Sequence, residues 1–165
     1  MEPETYEWLV PGALAVAERP GGGGRAHRIA RRVGELQWWW DQGIRTIVSA
    51  KPTRHGLVDY GLAGFRYRWH PLVDGEEAPD TLLMLVEDVA RLMRDPASGG
   101  VLVHCDRPEE WLSAIDAALR LRLGLAAAGP AALADVERGG LPVGSIAVRL
   151  VSALENRLRT TAVPA

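Results

Sequence analysis

The feature that most constrains the fold is an apolar run that ends at the only cysteine of the chain. A helical pattern follows this run at once. The run reads VLVHC, and Cys105 closes it. From residue 108 to residue 123, apolar side chains recur at the spacing of a helix. Parallel strands need long crossover connections, which are usually helices, and such strands are buried on both faces. A buried strand that leads straight into a helix therefore predicts a parallel sheet.

The remaining patterns alternate between strand and helix. Short apolar runs on either side of Pro11 and Gly12 predict a hairpin over residues 6–17, since Pro-Gly supplies the backbone angles of a tight turn. Further strands are predicted at residues 44–50 and 65–70. Helices are predicted over residues 26–42, 80–94, 108–123, 130–137 and 144–159. The predicted fold class is α/β, with a central, mostly parallel sheet flanked by helices.

The length of 165 residues suits a single domain with a sizeable core, which we expect to span residues 1–165. Consecutive glycines predict a flexible connector near residues 21–24. A C-terminal tail is expected at about residues 160–165.

Three consecutive tryptophans lie on the first predicted helix. Its apolar face is expected to comprise Ile29, Val33, Leu36 and Trp40, which follow helical spacing. The tryptophans at positions 38–40 cannot all face one side of a helix. We expect one or two of them in the core, and the third either partly buried against a loop or exposed as a contact surface.

The overall properties of the chain exclude several classes of partner. A formal net charge of -2 gives no general attraction to nucleic acid or to an anionic membrane, so neither partner is predicted. No apolar run approaches the roughly 20 residues of a membrane span, and the acidic N-terminus is unlike a secretory signal, so a cytoplasmic location is expected. No cofactor and no metal site are predicted, because the histidines follow no ligand spacing. They are His27, His55, His70 and His104.

In a parallel sheet the functional crevice lies at the carboxyl ends of the strands, where His104 and Cys105 are expected. This junction resembles the signature of the cysteine-dependent protein phosphatases, most nearly the small dual-specificity phosphatases, which is His-Cys, five residues and then Arg. Further segments are similar to that family in the same order along the chain. They are WLVPGALAVAERP, QGIRTIVSA, WHPLVDGEEAP and LPVGSIA.

The resemblance implies a reaction as well as a fold. In that family the Cys thiolate attacks phosphorus, backbone N–H groups and a helix N-terminus hold the phosphate oxygens, and the Arg binds two of them. A carboxylic acid on a neighbouring loop protonates the leaving oxygen. The corresponding positions of this chain would be Cys105 for the nucleophile, Asp74 for the acid and His104 for a structural hydrogen-bonding partner of the loop.

The chain departs from the family pattern immediately after Cys105. The glycine position is Pro108, which has no N–H group, and Glu109 and Glu110 bring two anions to a pocket meant for a dianion. The arginine position is Trp111, and Leu112 stands where a hydroxyl residue is usual. The resemblance therefore implies a phosphatase-like protein that has lost its phosphate clamp.

A structural interpretation accounts for the same substitutions. Asp106 and Glu109 have the spacing of a capping box, Pro108 suits a first helical turn, and acidic residues complement the positive end of a helix dipole. Asp80 or Thr81 is similarly expected to cap the preceding helix. Cys105 is then most simply a small buried side chain, with a pKa whose direction of shift the sequence leaves open.

Three functions remain in view. The first is a phosphatase-like protein without phosphoester hydrolysis, which binds a small molecule or a protein partner. The second is a different enzyme that uses the same pocket on a small neutral or cationic substrate. The pocket would consist of Cys105, Asp74, Glu109 and Glu110 as catalytic candidates, with His104, Asp106, Arg107 and Trp111 as binding candidates. The third is a phosphatase with a substitute arginine, for which Arg54, Arg66, Arg68 and Arg107 are candidates.

Overall fold

The structure, a computed structural model, describes residues 1–22 and 28–162. The predicted alternation of strands and helices is confirmed, and the elements follow in chain order. The strands are β1 (Tyr6–Val10), β2 (Leu14–Glu18), β3 (Ile44–Ser49), β4 (Arg66–Trp69) and β5 (Gly100–Cys105). The helices are α1 (Ile29–Asp41), α2 (Val58–Leu62), α3 (Ala78–Arg94), α4 (Pro108–Arg122), α5 (Gly129–Arg138) and α6 (Ser145–Thr161).

The five strands form one mixed sheet in the order β1-β2-β5-β3-β4. The predicted hairpin is present, since β1 pairs with β2 antiparallel around Gly12, which adopts a φ of +71°. Every other pair in the sheet is parallel. The carboxyl ends of β2, β5, β3 and β4 therefore lie at one edge, as the predicted fold class requires.

Helices cover both faces of the sheet, and each face has its own core. On one side α1 and α2 pack against β3 and β5, with Trp39 and Tyr60 at the centre. On the other side α3, α4, α5 and α6 form the larger core, in which Leu85, Ile115 and Leu154 are fully buried. Burial on both faces explains why VLVHC reads as a continuous apolar run.

The position of α1 was predicted correctly, but its buried face was not. Ile29 and Val33 are 75% and 63% exposed, whereas Arg32 and Glu35 are 8% and 1% exposed. The charged side chains can be buried because they are paired: Arg32 bonds Asp59 and the Gly56 carbonyl, and Glu35 bonds Arg31 and the Gly21 amide. A hydrophobic pattern alone assigns charged residues to the solvent side. The predicted buried face of α1 was therefore wrong at these positions.

The three tryptophans follow the expectation of partial burial. Trp39 is fully buried, while Trp38 packs edge-on against it at 4.8 Å between ring centroids. Trp40 is partly buried between Phe65, at 5.3 Å, and the Arg45 guanidinium, 3.9 Å above its ring. None of the three is an exposed contact surface.

The sequence-based expectations were wrong at α2 and at the start of α3. The short helix α2 was not predicted, and α3 starts at Ala78, so neither Asp80 nor Thr81 caps it. At the expected C-terminal tail, α6 continues to Thr161, and residues 163–165 lie outside the described part. Within the expected connector, Gly21 has a φ of +90°, and residues 23–24 lie outside the described part.

Candidate functional site

The candidate site forms where β5 passes into α4. Cys105 is the last residue of β5, and Pro108 is the first residue of α4. The backbone of this junction is held by its neighbours, since Arg19 N–H donates to the Cys105 carbonyl at 3.0 Å and Ala50 N–H donates to the His104 carbonyl at 2.8 Å. The ends of β2 and β3 therefore fix the loop on both sides.

A cavity of about 320 Å³ opens beside this loop. Its lining includes most of the predicted site residues, which come from two separate segments: Asp74 from one, and Cys105, Asp106, Arg107, Glu110 and Trp111 from the other. Ala50, Pro52, Leu72 and Val73 complete the lining. A volume of this size suits a small organic ligand.

Two predicted site residues are not part of the cavity lining. Glu109 is exposed, and its side chain lies on the solvent side of the first turn of α4. His104 is fully buried, and its Nε2 lies 3.0 Å from the hydroxyl oxygen of Tyr60 on α2. The imidazole therefore joins β5 to α2.

Cys105 lies at the bottom of the cavity with 1% of its surface exposed. Burial raises the pKa of its thiol far above the ordinary value, and the carboxylates of Glu109, Asp106 and Glu18 raise it further. The backbone N–H of Arg107 lowers the pKa, but this effect is smaller than that of burial. These effects together favour the neutral thiol of Cys105 over the thiolate.

The start of α4 is built differently from the sequence-based expectation. Arg107 occupies the N-cap position, and no side chain caps the helix, so the predicted capping box of Asp106 and Glu109 does not form. Pro108 does occupy the first helical position, where its missing N–H group is no loss to the helix. Glu109 and Glu110 lie in the first turn, where the dipole favours their charge.

Each carboxylate of the cavity already has an arginine partner. Asp106 Oδ1 accepts from Arg19 Nη1 at 3.2 Å, and Glu110 Oε1 lies 3.3 Å from Arg107 Nη1. Asp74, at the expected general-acid position, is paired with Arg149 of α6. The charges around the cavity are therefore close to balanced, which weakens the expectation of a carboxylate pair free to bind a cation.

Three of the four arginines expected as a substitute clamp do not line the cavity beside Cys105. Arg54 lies over the ring of Trp69, 4.6 Å from its centroid. Arg66 and Arg68 belong to β4, and none of the three lines the cavity. Arg107 does line the cavity, but its guanidinium is engaged by Glu110.

A buried cationic group behind the loop was not predicted. Lys51, the only lysine of the chain, is 3% exposed, and its Nζ donates to the His55 carbonyl at 2.6 Å. Burial lowers the pKa of Lys51 to about 8, and Arg19 and Arg32 lower it further, against the opposing effect of Asp106.

The buried cations have a direct effect on His104. Burial lowers the pKa of His104 to about 3, with further contributions from Lys51, Arg19 and Arg32. The positions of Arg19 and Lys51 in the sequence could have indicated their place near the site. Each of them follows a strand whose carboxyl end borders the crevice.

Within residues 1–22 and 28–162, no group of three potential metal-ligating side chains is placed to hold an ion. The helices of the same residues include none with the length and apolarity to cross a bilayer.

No protein-family model matches the sequence, and no curated protein is significantly similar to it. Solved structures do match. Human DUSP28 has a TM-score of 0.69 at 16% identity, covering 96% of this chain and 99% of its own. A mouse putative dual specificity phosphatase solved with zinc tungstate has a TM-score of 0.68 at 17% identity, over 97% of this chain and 92% of its own. PTPMT1, solved in complex with PI(5)P, has a TM-score of 0.70 at 13% identity, covering 97% of this chain and 100% of its own. At these identities the similarity establishes the fold, and the chain has the fold of the dual-specificity and protein tyrosine phosphatases.

Proposed function

We propose that this protein has the phosphatase fold but does not hydrolyse phosphoesters. The observation that carries the proposal is the state of Cys105. Its sulfur is buried, and its pKa is raised by burial and by nearby carboxylates. Because only the thiolate is an effective nucleophile, a neutral thiol at this position disfavours attack on phosphorus.

The surroundings of Cys105 support the same conclusion. A phosphate dianion bound beside it would meet the carboxylates of Asp106 and Glu110, and it would have to compete with them for Arg19 and Arg107. Transition-state charge in phosphoryl transfer is stabilised by preorganised cations, and here the cations are already engaged. Trp111 fills the arginine position with an indole ring that carries no positive charge.

The proposal is tested by hydrolysis of a generic aryl phosphate by the purified protein and by its Cys105→Ser variant, across a range of pH. An active dual-specificity phosphatase serves as the positive control. We expect no difference between the protein and its variant. Turnover that disappears in Cys105→Ser would overturn the proposal and would identify Arg107 as the first candidate for a substitute clamp.

A second candidate function follows from the cavity, which remains open at about 320 Å³ although its phosphate clamp is absent. Its floor and walls include Leu72, Val73 and Trp111, and its carboxylates are already paired. A pocket that combines apolar walls with paired, balanced charges favours a neutral ligand, and it tolerates a cation better than a dianion. We propose that it binds a small neutral or cationic molecule, either as a binding site or as the site of a different reaction.

Phenol, benzylamine and phenyl phosphate share a ring and differ in charge, so they form a matched set of probes. Binding is measured by ligand-detected NMR, with Trp111→Ala as the cavity variant and Trp38→Ala, outside the cavity, as its control. We expect phenol to bind, and to lose about tenfold in affinity when Trp111 is removed. Tighter binding of phenyl phosphate than of phenol, or no binding of any probe, would contradict this second candidate.

A further inference from the structure

A groove lies beside β4, at the end of the sheet opposite β1. It combines arginines with exposed apolar side chains. Its volume is about 490 Å³, and it is lined by Arg54, Leu57, Val58, Tyr67, Arg68 and Trp69. Val58 is 61% exposed and Tyr67 is 39% exposed. The groove shares no lining residue with the cavity beside Cys105. We call it the β4 groove.

The backbone of β4 is unpaired on this side. β4 is the last strand of the sheet and pairs only with β3 among the described strands. His70 N–H donates to the Ser49 carbonyl of β3, so the alternate residues Tyr67 and Trp69 direct their backbone groups to the outer side. In the described part of the chain, no hydrogen bond from outside the sheet reaches these groups. Such an edge can accept another strand.

The charge of the β4 groove is positive although the chain as a whole is acidic. Arg54 lines the groove, and Arg66 lies outside its lining as the residue before Tyr67 on β4. Neither of these arginines forms an ion pair within the described residues. The Arg68 side chain is 55% exposed, and its Nε lies 3.7 Å from an Asp88 carboxylate that also contacts His70. One carboxylate shared in this way leaves most of the positive charge of the three arginines available to a ligand.

We propose that the β4 groove binds an extended acidic segment of a partner protein, which adds to the sheet as a sixth strand beside β4. Backbone groups of the segment would pair with those of Tyr67 and Trp69. Its acidic side chains would face Arg66 and Arg68, and the alternate side chains would pack against Tyr67 and Val58. A segment that alternates acidic and apolar residues fits both requirements.

The same arginines disfavour a second copy of this chain as the occupant. Pairing of two β4 edges would bring Arg66 and Arg68 of one copy against those of the other, and like charges directly opposite each other are destabilising. Charged side chains on an edge strand disfavour pairing with another copy of the same edge. The same positive charges favour an acidic segment over a neutral or basic one.

The test uses the full chain and a labelled short peptide of alternating glutamate and valine, with binding followed by fluorescence anisotropy. One control peptide carries a central proline, which keeps the charge and removes strand pairing. A second control peptide has lysine in place of glutamate. We expect the alternating acidic peptide to bind at least about tenfold more tightly than either control, a difference typical of a lost strand contact or a reversed charge.

Variants assign the binding to the groove. Arg68→Glu reverses a charge in the groove, and Arg138→Glu makes the same change on α5, where the side chain is 75% exposed. We expect about tenfold weaker binding for Arg68→Glu and no change for Arg138→Glu. Equal binding of the proline peptide, equal loss in both variants, or no binding of any peptide would overturn the proposal.

Two further measurements exclude other occupants. Self-association that Arg68→Glu abolishes, detected by light scattering, would show a second copy in the groove and would overturn the proposal. Binding to vesicles that contain phosphatidylserine, without binding of the acidic peptide, would overturn it in favour of a membrane surface. With both results negative and the peptide bound, the proposal stands independently of whether Cys105 is active.

Discussion

Replacement of Asp116 by asparagine should make the protein more stable at neutral pH and remove part of its pH dependence. Asp116 is fully buried on α4, and its Oδ1 accepts from Arg120 Nε at 2.6 Å. Its Oδ2 has no hydrogen-bond partner among the described residues. Burial raises the pKa of Asp116 to about 6, and Glu7 and Asp135 also raise it, whereas Arg120 lowers it.

The magnitude follows from the difference between the folded and unfolded pKa. The ordinary value is 3.8, and each pH unit of difference corresponds to about 1.4 kcal/mol, so ionisation of Asp116 costs the folded state up to about 3 kcal/mol. Because the folded pKa is raised, the folded state holds the proton longer than the unfolded state. Stability therefore falls as pH rises from about 4 to about 6, and the cost is fully present above pH 6.

Asp116→Asn keeps the shape of the side chain and removes the charge. We expect the free energy of unfolding to increase by about 1 to 2 kcal/mol at neutral pH, which is within the ceiling of about 3 kcal/mol; that ceiling already includes the favourable interaction with Arg120. The assay is urea unfolding at several pH values between 4 and 8, with Glu137→Gln, which changes an exposed carboxylate of α5, as the control. A variant less stable than the parent at neutral pH, or parallel pH profiles for the two, would refute this reasoning.

Three other substitutions test further parts of the structure. Lys51→Met should stabilise the protein by about 1 kcal/mol at pH 7, because burial lowers the folded pKa of Lys51 to about 8. The substitution should also flatten the rise in stability that Lys51 produces between pH 8 and pH 10.5. Urea unfolding measures both effects. Tyr60→Phe should destabilise by about 1 to 3 kcal/mol in the same assay, since it leaves His104 Nε2 buried without its partner, and an unchanged midpoint would contradict this role. Trp39→Ala should cost about 3 to 5 kcal/mol in thermal or urea unfolding, as expected for a fully buried indole, whereas a loss below about 1 kcal/mol would place Trp39 outside the core.

The hydrophobic periodicity of the sequence was sufficient to predict the fold class and most of the helices and strands. Strands buried on both faces gave continuous apolar runs, and α4, α5 and α6 lie within two residues of their predicted bounds. Periodicity failed where charged side chains are buried in pairs, as on α1, because the pairing of Arg32 with Asp59 depends on residues distant in sequence. It also failed at α2, which is only five residues long.

The candidate site was only partly predictable, for the same reason. Position at a strand end identified Cys105 and its loop, and the spacing to Trp111 identified the missing arginine. The sequence could not give the partners of the loop carboxylates, since Arg19 is 87 residues from Asp106 and Arg149 is 75 residues from Asp74. Nor could it weigh burial against the nearby charges in setting the pKa of Cys105, because burial is a property of the folded chain.

The ionisation of Cys105 is the measurement that tests the account most directly. Thiolate absorbance in the ultraviolet is followed against pH for the folded protein, and the Cys105→Ser variant provides the baseline. We expect no thiolate to appear below the ordinary thiol pKa of about 8.5 while the protein remains folded. A thiolate that forms near or below neutral pH would contradict the account and would restore Cys105 as a nucleophile of the phosphatase type.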